Sequence, residues 1–354
     1  MREPTGRPLR IAVLANRKHS VPVAENAPRD ALAEYDSEET VEGILGALHQ
    51  AGHAPFYLEA DATLLDTVRD TRPDACFNIA EGLHGDARES HVPAVLEMLG
   101  IPYTGSGVTT HAISLDKALT KQIWRDAGLP TAAFQLFRYA DAPLRADLAF
   151  PLFVKPVREG SGMGINERSV VHNEQELRDQ VAWVIKTYRQ PALAERYLAG
   201  REFTVGLIGN ALGSGDPPWS PFYDAQGYHR FPVLEIDTGK GVVQGIYNAQ
   251  AKSYAIESDE APGYLCPADI PGELEQHLKT LAVAAFEAIG GLDVARVDFR
   301  LDEDGQPCLM EINTLPGLNP SVSDIVIAAR AGGVAYDTLI AEILNLALAR
   351  YDAL

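Results

Sequence analysis

Residues 296–313, Arg-Val-Asp-Phe-Arg-Leu-Asp-Glu-Asp-Gly-Gln-Pro-Cys-Leu-Met-Glu-Ile-Asn, constrain this chain more than any other stretch. Apolar and polar residues alternate on both sides of Asp304-Gly305, a dipeptide that favours a two-residue hairpin turn because both positions tolerate positive φ. The pattern predicts strands over 295–301 and 307–313. Centring the turn there pairs Glu303 with Gln306, Asp298 with Glu311 and Arg296 with Asn313. Side chains alternate along a strand, so Val297, Phe299, Met310 and Ile312 share an apolar face. Arg296, Asp298, Glu311 and Asn313 share the other. Two carboxylates directly opposite each other destabilise a sheet. A cation between them removes the conflict. Asp, Glu and Asn offer only oxygen, which suits a hard ion such as Mg²⁺ rather than zinc. The other reading is a solvated hairpin face with ordinary surface charges, and at this point both stand.

The totals exclude several function classes. A chain of 354 residues has room for two or three domains with proper cores. Its net charge of −19 argues against a nucleic-acid partner, whose phosphates it would repel. Against that background, isolated lysines beside glycines become informative. No apolar run approaches a membrane span and the start lacks a signal-peptide core, so no membrane partner and a cytoplasmic location are expected. Cys76, Cys266 and Cys308 form no CxxC and no zinc spacing, and read as reduced, buried small hydrophobes.

Along the chain, an apolar run at 11–15 suits a buried strand. Asp36 and Glu39 form a capping pair before Val41, Ile44, Leu45 and Leu48 at helical spacing, and Gly52 ends that helix. A second strand is expected over 75–80, and a helix from Pro93 to Leu99. This alternation predicts an α/β domain with a parallel sheet. Ser114 is expected to cap a helix through Ala127 that Gly128 closes. Strand runs then follow at 133–137, 151–157, 192–198 and 202–208, interrupted by one helix near 173–185. A Gly/Pro-rich loop covers 209–221. Helices are expected near 271–289, 323–331 and 335–349.

Residues 153–164, Phe-Val-Lys-Pro-Val-Arg-Glu-Gly-Ser-Gly-Met-Gly, place Lys155 on a strand ahead of Gly160, Gly162 and Gly164. Glycines let backbone N–H groups approach a phosphate, and a lysine adds a point charge. The stretch is neither a Walker A loop nor a dinucleotide fingerprint. It reads equally as a hairpin tip that needs glycine for turn geometry. Lys117 lies on the helix after Ser114, where a solvated charge is the plain alternative. Residues 194–198, Ala-Glu-Arg-Tyr-Leu, end a strand with a carboxylate and an apolar neighbour that suit a ribose and an adenine edge. Lys252 sits in a loop after Asn-Ala-Gln-Ala. His84 and His91 lack ligand spacing, and no Ser/His/Asp or Cys/His nucleophile arrangement is present.

Taken together, the ordered motifs resemble the D-alanine–D-alanine ligase branch of the ATP-grasp superfamily. They are Gly-Ile-Pro-Tyr-Thr-Gly-Ser (100–106), Ser-Leu-Asp-Lys (114–117), the 154–164 loop, Leu-Ala-Glu-Arg-Tyr-Leu (193–198), Arg-Val-Asp-Phe (296–299) and Met-Glu-Ile-Asn-Thr-Leu-Pro-Gly (310–317). The resemblance implies a three-domain ATP-grasp fold, α/β and α+β: an N-terminal α/β parallel-sheet domain (1–112), a central subdomain (113–208) and a C-terminal subdomain with an active-site lid (209–354). It implies ATP, two Mg²⁺ ions with Mn²⁺ as a substitute, small amino-acid substrates, a peptidoglycan role and a homodimer. Lys117, Lys155, Gly160 and Gly162 would match the phosphate site. Glu195 and Leu198 would line the adenine pocket and Glu202 would hold the ribose. Asp298, Glu311 and Asn313 would carry the metal ions, with Glu311 bridging. Ser161 would help fix the first amino acid, Lys252 would close over the γ-phosphate, and Arg296 with the Gly317 N–H would stabilise the oxyanion. The expected reaction is ATP-dependent ligation through an acyl phosphate, by default D-alanine to D-alanine, or else the joining of other amino acids or an amino acid and a small metabolite. Asp298→Asn or Glu311→Gln is expected to cut turnover with little loss of fold.

Both substrate ends depart from the family pattern. The glycine-rich turn after the first strand is missing, leaving Glu34, Glu38 or Glu39 as candidates for the first substrate's ammonium group. Ser253 replaces the tyrosine after the lid lysine. Leu-Asn-Pro-Ser-Val-Ser-Asp (318–324) is unusual, with Ser321 and Ser323 as candidates for a carboxylate.

Overall fold

The computed structural model describes residues 7–21, 27–213, 220–239 and 262–351. In the N-terminal unit, β1 (Arg10–Ala15) is followed by α1 (Glu38–Gln50), β2 (Ala54–Glu59), α2 (Leu64–Thr71), β3 (Ala75–Asn78) and α3 (His91–Leu99). The three strands form the expected parallel sheet in the order β2-β1-β3. Both faces are covered, which is why 11–15 is an unbroken apolar run. Ile11, Val13 and Ala15 pack in the core that includes Val41, Ile44 and Leu48 of α1. Ala12 and Leu14 pack with Leu64, Val68, Val92 and Leu96 on the other side. The cap of α1 is Ser37, whose Oγ accepts the Thr40 N–H at 3.3 Å, and not the Asp36–Glu39 pair.

The next stretch is two helices, α4 (Val108–Leu115) and α5 (Lys117–Asp126), where the sequence suggested one. Asp116 breaks them and caps α5, accepting the Leu119 N–H at 3.0 Å. Ser114 therefore lies at the end of α4, within 2.8 Å of the Thr314 hydroxyl, and caps nothing. Then come β4 (Phe134–Phe137), β5 (Leu152–Pro156), β6 (Val170–Val171), α6 (Glu174–Tyr188) and β7 (Ala192–Arg196). They form an antiparallel sheet, β4-β7-β5-β6, on which Leu177, Val181 and Val184 of α6 are buried.

The third unit holds β8 (Glu202–Gly209), β9 (Tyr228–Arg230), β10 (Leu234–Asp237), β11 (Gly263–Leu265), α7 (Gly272–Ala288), β12 (Val294–Leu301), β13 (Pro307–Asn313), α8 (Asp324–Ala331) and α9 (Tyr336–Arg350). Its sheet runs β11-β10-β8-β12-β13, with β9 beside β8. By sheet membership residues 202–209 go with this unit, so the 208/209 division falls one strand too late. The 112/113 division falls inside α4. Among the described residues no single helix is long and apolar enough to cross a membrane.

The units are tied together by buried contacts that set the cleft between them. Trp124 of α5 is fully buried in the core under the third sheet and donates to Ala285 O at 3.1 Å. Residues of α8 and α9 share a core with β1 and α1. Asp293, fully buried, accepts the Gly105 N–H at 2.8 Å and an Arg350 N–H at 2.7 Å. Burial drives its pKa up, and Arg350 opposes that.

Candidate active site

The hairpin pairs Arg296 with Asn313, Val297 with Ile312 and Asp298 with Glu311, as alternation implies. The turn, however, is not Asp304-Gly305 alone. The Asp302 N–H donates to Gln306 O at 2.9 Å, and the Asp302 carboxylate accepts the Asp304 and Gln306 N–H groups at 3.0 and 2.8 Å. Three residues, Glu303 to Gly305, close the turn, with Gly305 at φ +76°. The strands leave it with Phe299 opposite Leu309, and a β-bulge at Met310 then restores the register. Two one-residue offsets cancel. Leu309 takes the core position expected for Met310, while Met310 lines the cleft.

Each of the facing carboxylates already has a protein cation beside it. The Arg296 guanidinium donates through Nε to Asp298 Oδ1 at 2.9 Å and through Nη2 to Oδ2 at 2.8 Å; its Nη1 lies 3.3 Å from Asp324. Burial alone would lower the Arg296 pKa, but Asp298 and Asp324 raise it well above the ordinary value. The Thr204 hydroxyl donates to Asp298 at 2.6 Å and the Asn313 amide at 3.3 Å. Lys117 Nζ is 3.4 Å from Glu311 and donates to Glu159 O at 2.5 Å. Relief of like charge across this ribbon therefore needs no metal ion, contrary to the sequence argument. Among the described residues no three His, Cys, Asp or Glu side chains converge as a metal site.

Lys155 on β5 and Lys121 on α5 grip one carboxylate, Glu195 of β7, at 2.7 and 2.9 Å. All three are buried. Burial pushes Glu195 up, yet the two lysines hold it down at about 2. Glu195 is thus a counter-ion behind Lys155 and lines neither cavity, and Leu198 packs against Ala132 and Cys308. Glu202 does line the cleft, 3.8 Å from Arg300. Lys121 escaped the sequence reading, although its i,i+4 spacing from Lys117 puts both on one face of α5.

Two adjoining cavities occupy the cleft, and Lys117 and Glu311 stand in the wall of both. Lys155, Gly162, Glu202 and Asp298 line the first. Gly160, Ser161, Arg296, Asn313 and Gly317 line the second. The glycine-rich loop turns between them through positive φ at Ser161 (+48°), Gly162 (+71°) and Gly164 (+74°). Its outward N–H groups meet carboxylates of the N-terminal unit: Glu34 accepts from Gly160, and Asp30 accepts from Gly164 at 2.9 Å. Arg88 fastens the same corner, donating to Glu34 at 2.6 Å, Glu159 at 3.1 Å and Arg158 O at 2.9 Å.

Of the three N-terminal candidates only Glu34 faces the cleft. Glu38 pairs with Arg17 at 3.0 Å, and Glu39 accepts Ser321 Oγ–H at 2.6 Å. Ser321 thus spends its O–H on a carboxylate of the chain itself, Glu39, while Ser323 Oγ accepts the Asn319 N–H at 2.8 Å; neither lines either cavity. His84 and His91 are exposed. Lys252, Ser253 and most of the expected lid lie outside the described residues.

A model of the "D-ala D-ala ligase C-terminus" family matches residues 123–345. A D-alanine–D-alanine ligase of Alcanivorax borkumensis is 37% identical over 286 residues, 81% of this chain and 80% of that one. This chain belongs to the D-alanine–D-alanine ligase family. An uncharacterized family relative, y4sG of Sinorhizobium fredii, is 37% identical over 318 residues, 88% of each chain. The crystal structure of a D-alanine–D-alanine ligase from Bacillus anthracis complexed with ATP superposes with a TM-score of 0.70. It covers 97% of this chain and 99% of that one, at 22% identity. That likeness speaks for the fold, ATP-grasp, with the mixed sheets described above. Among the residues lining the second cavity, Glu81 and Glu89 are acids to which the sequence motifs assigned no part.

Proposed function

We propose that the chain is an ATP-dependent ligase that joins two amino acids through an acyl phosphate, with D-alanine accepted at both positions. The observation that carries this reading is the convergence of Lys117, Lys155, Arg296, Glu311 and the glycine-rich loop on one divided cleft, inside a chain of this family. A carboxylate is a poor acyl donor because oxide is a very poor leaving group. Once one substrate's carboxylate has taken the γ-phosphoryl group, the second substrate's amine attacks the carbonyl carbon and inorganic phosphate leaves.

The chain's own residues divide that work. Lys117 and Lys155 line the first cavity and would neutralise phosphate oxygens there, and Glu195 with Lys121 holds Lys155 in place. Glu202 faces the first cavity as the group for ribose hydroxyls. Arg296 and the Gly317 N–H border the second cavity, where a tetrahedral oxyanion would form. Glu34 and Ser161 flank the same cavity and suit the ammonium group of the first amino acid. The donor types at Asp298, Glu311 and Asn313 fit a hard divalent ion, and Glu311 stands at the junction of the two cavities. Two Mg²⁺ ions there, or Mn²⁺, would supply Lewis-acid neutralisation of the phosphates. The domain divisions, redrawn at about residues 107 and 201, go with this reading. The homodimer and the cytoplasmic, cell-wall role rest on the family resemblance; light scattering checks the first.

Incubation with ATP, Mg²⁺ and D-alanine should release ADP and phosphate in a D-alanine-dependent manner; no turnover across pH 7–9 would remove D-alanine as a substrate. Glu311→Gln should lower turnover on the order of 10²–10³-fold, the scale of losing one preorganised electrostatic group. Its melting temperature should change little, because Lys117 keeps its bond to Glu159 O. A large drop in melting temperature would mark Glu311 as structural.

A further inference from the structure

The second cavity carries more negative charge than one α-ammonium group needs. Glu34, Asp36, Glu81 and Glu89 line its N-terminal wall. Of these, Glu34 accepts one hydrogen bond on each oxygen, from Arg88 and from the Gly160 N–H, which leaves a further lone pair on each. Arg88 donates to Glu34, Glu159 and Arg158 O, and Lys117 donates to Glu159 O beside Glu311. Among the described residues no hydrogen bond reaches the Asp36, Glu81 or Glu89 carboxylate. Glu89 is only 9% exposed and still borders the cavity. Its nearest basic group, His111 Nδ1, is 3.9 Å away and faces the Thr314 hydroxyl at 2.9 Å. Burial drives the His111 pKa down to about 4, so the ring is neutral and gives no ion pair.

Buried carboxylates of like sign repel, and each unmatched one costs free energy. These carboxylates do not converge as a metal site. Their spread suits an extended organic cation instead. Besides the cations Lys117 and Arg296, each already next to a carboxylate of its own, the wall also offers apolar surface from Ile79, Leu115, Ile312, Leu315, Pro316 and Leu318. A methylene chain packs on such a surface while its charged end reaches the acids.

We propose that the first-substrate pocket prefers an amino acid whose side chain ends in a second cationic group, an ω-amino or guanidino acid, over alanine. The proposal rests on the ligase reading above and names the substrate class for that same cleft. Glu34 takes the α-ammonium group, and Glu81 and Glu89 take the side-chain cation. Without a ligand cation, burial raises Asp36 and Glu89 to about 7, against Lys18 at the first and Arg88 and Lys117 at the second, and burial with the neighbouring carboxylates raises Glu81. An entering ammonium group releases that proton and restores their charge.

The test is ADP release with Mg-ATP and matched pairs of first substrates, lysine against norleucine and ornithine against norvaline, in both enantiomers, with D-alanine alongside. The basic member of each pair should show kcat/KM higher by about ten- to a hundredfold, the worth of a charge-assisted hydrogen bond. Glu81→Gln and Glu89→Gln should each reduce that ratio by about tenfold. Independently of the variants' folding, lysine should raise the melting temperature of the Mg-ATP-loaded wild-type protein more than norleucine does. Turnover of D-alanine with no preference for the basic partners overturns this proposal alone, as does a preference that both variants retain. Absence of ADP release with every amino acid overturns the ligase reading, and the proposal with it.

Discussion

Glu195→Ala will destabilise the protein by about 3–5 kcal/mol in urea titration, the cost of leaving buried charges uncompensated. The substitution strands Lys121 and Lys155 together in the interior, each nearly inaccessible to solvent. Lysine desolvation then has no opposing charge, and two ammonium groups repel across the space Glu195 occupied. Wild-type stability will carry the same contact's signature in pH. The folded-state pKa of Glu195 is depressed, to about 2 against an ordinary 4.5. Such a group contributes stability that is complete above the unfolded value and lost as pH falls through the folded one. Acid titration should thus show stability draining between about pH 4.5 and 2, and the Glu195→Ala variant should lack that part of the slope. A variant as stable as wild type, or an unchanged acid limb, would remove Glu195 from this role.

Arg296→Gln is expected to act on both fold and turnover. It leaves the carboxylates of Asp298 and Asp324 without their shared cation at a site where both are largely buried. The stability cost is again about 3–5 kcal/mol. Turnover should fall on the order of 10²–10³-fold, as for loss of one oxyanion donor. Arg296→Lys should recover part of the stability but little of the activity, because an ammonium group cannot span both Asp298 oxygens as the guanidinium does. The same geometry changes the expectation for Asp298→Asn. Alone it was expected to spare the fold; with Arg296 held in a two-oxygen grip, it breaks a buried pair and should destabilise as well as slow the enzyme. Denaturant melts and ADP release, measured on one preparation, separate the two effects. Full activity in Arg296→Gln would mean that the guanidinium is structural only.

Much of the cleft could be read in the sequence because its residues are local to ordered elements. Alternation over 295–313 places Arg296, Asp298, Glu311 and Asn313 on one face whatever surrounds the ribbon. Lys155 is found from the glycines that follow it, and the mixed fold from the spacing of its strands and helices. The bulge at Met310 was hidden, since a three-residue turn and an extra residue leave the same outer pairing as a two-residue turn. Asp116 was overlooked as the cap of α5 because Ser114 is also a cap residue two positions earlier.

By itself the sequence determined most of the longer strands and helices, though not β2, α2 or α4, together with the polar face of the β12–β13 ribbon and the family through its ordered motifs. These depend on periodicity and on residues close along the chain. Only the tertiary structure decided which charge meets which. Arg296 with Asp324, Lys121 with Glu195, Glu34 with Arg88 and Gly160, and the open carboxylates of Glu81 and Glu89 come from segments far apart in sequence. Their pairing follows from how the three units dock, and electrostatic energy depends on distance and burial that no local pattern encodes.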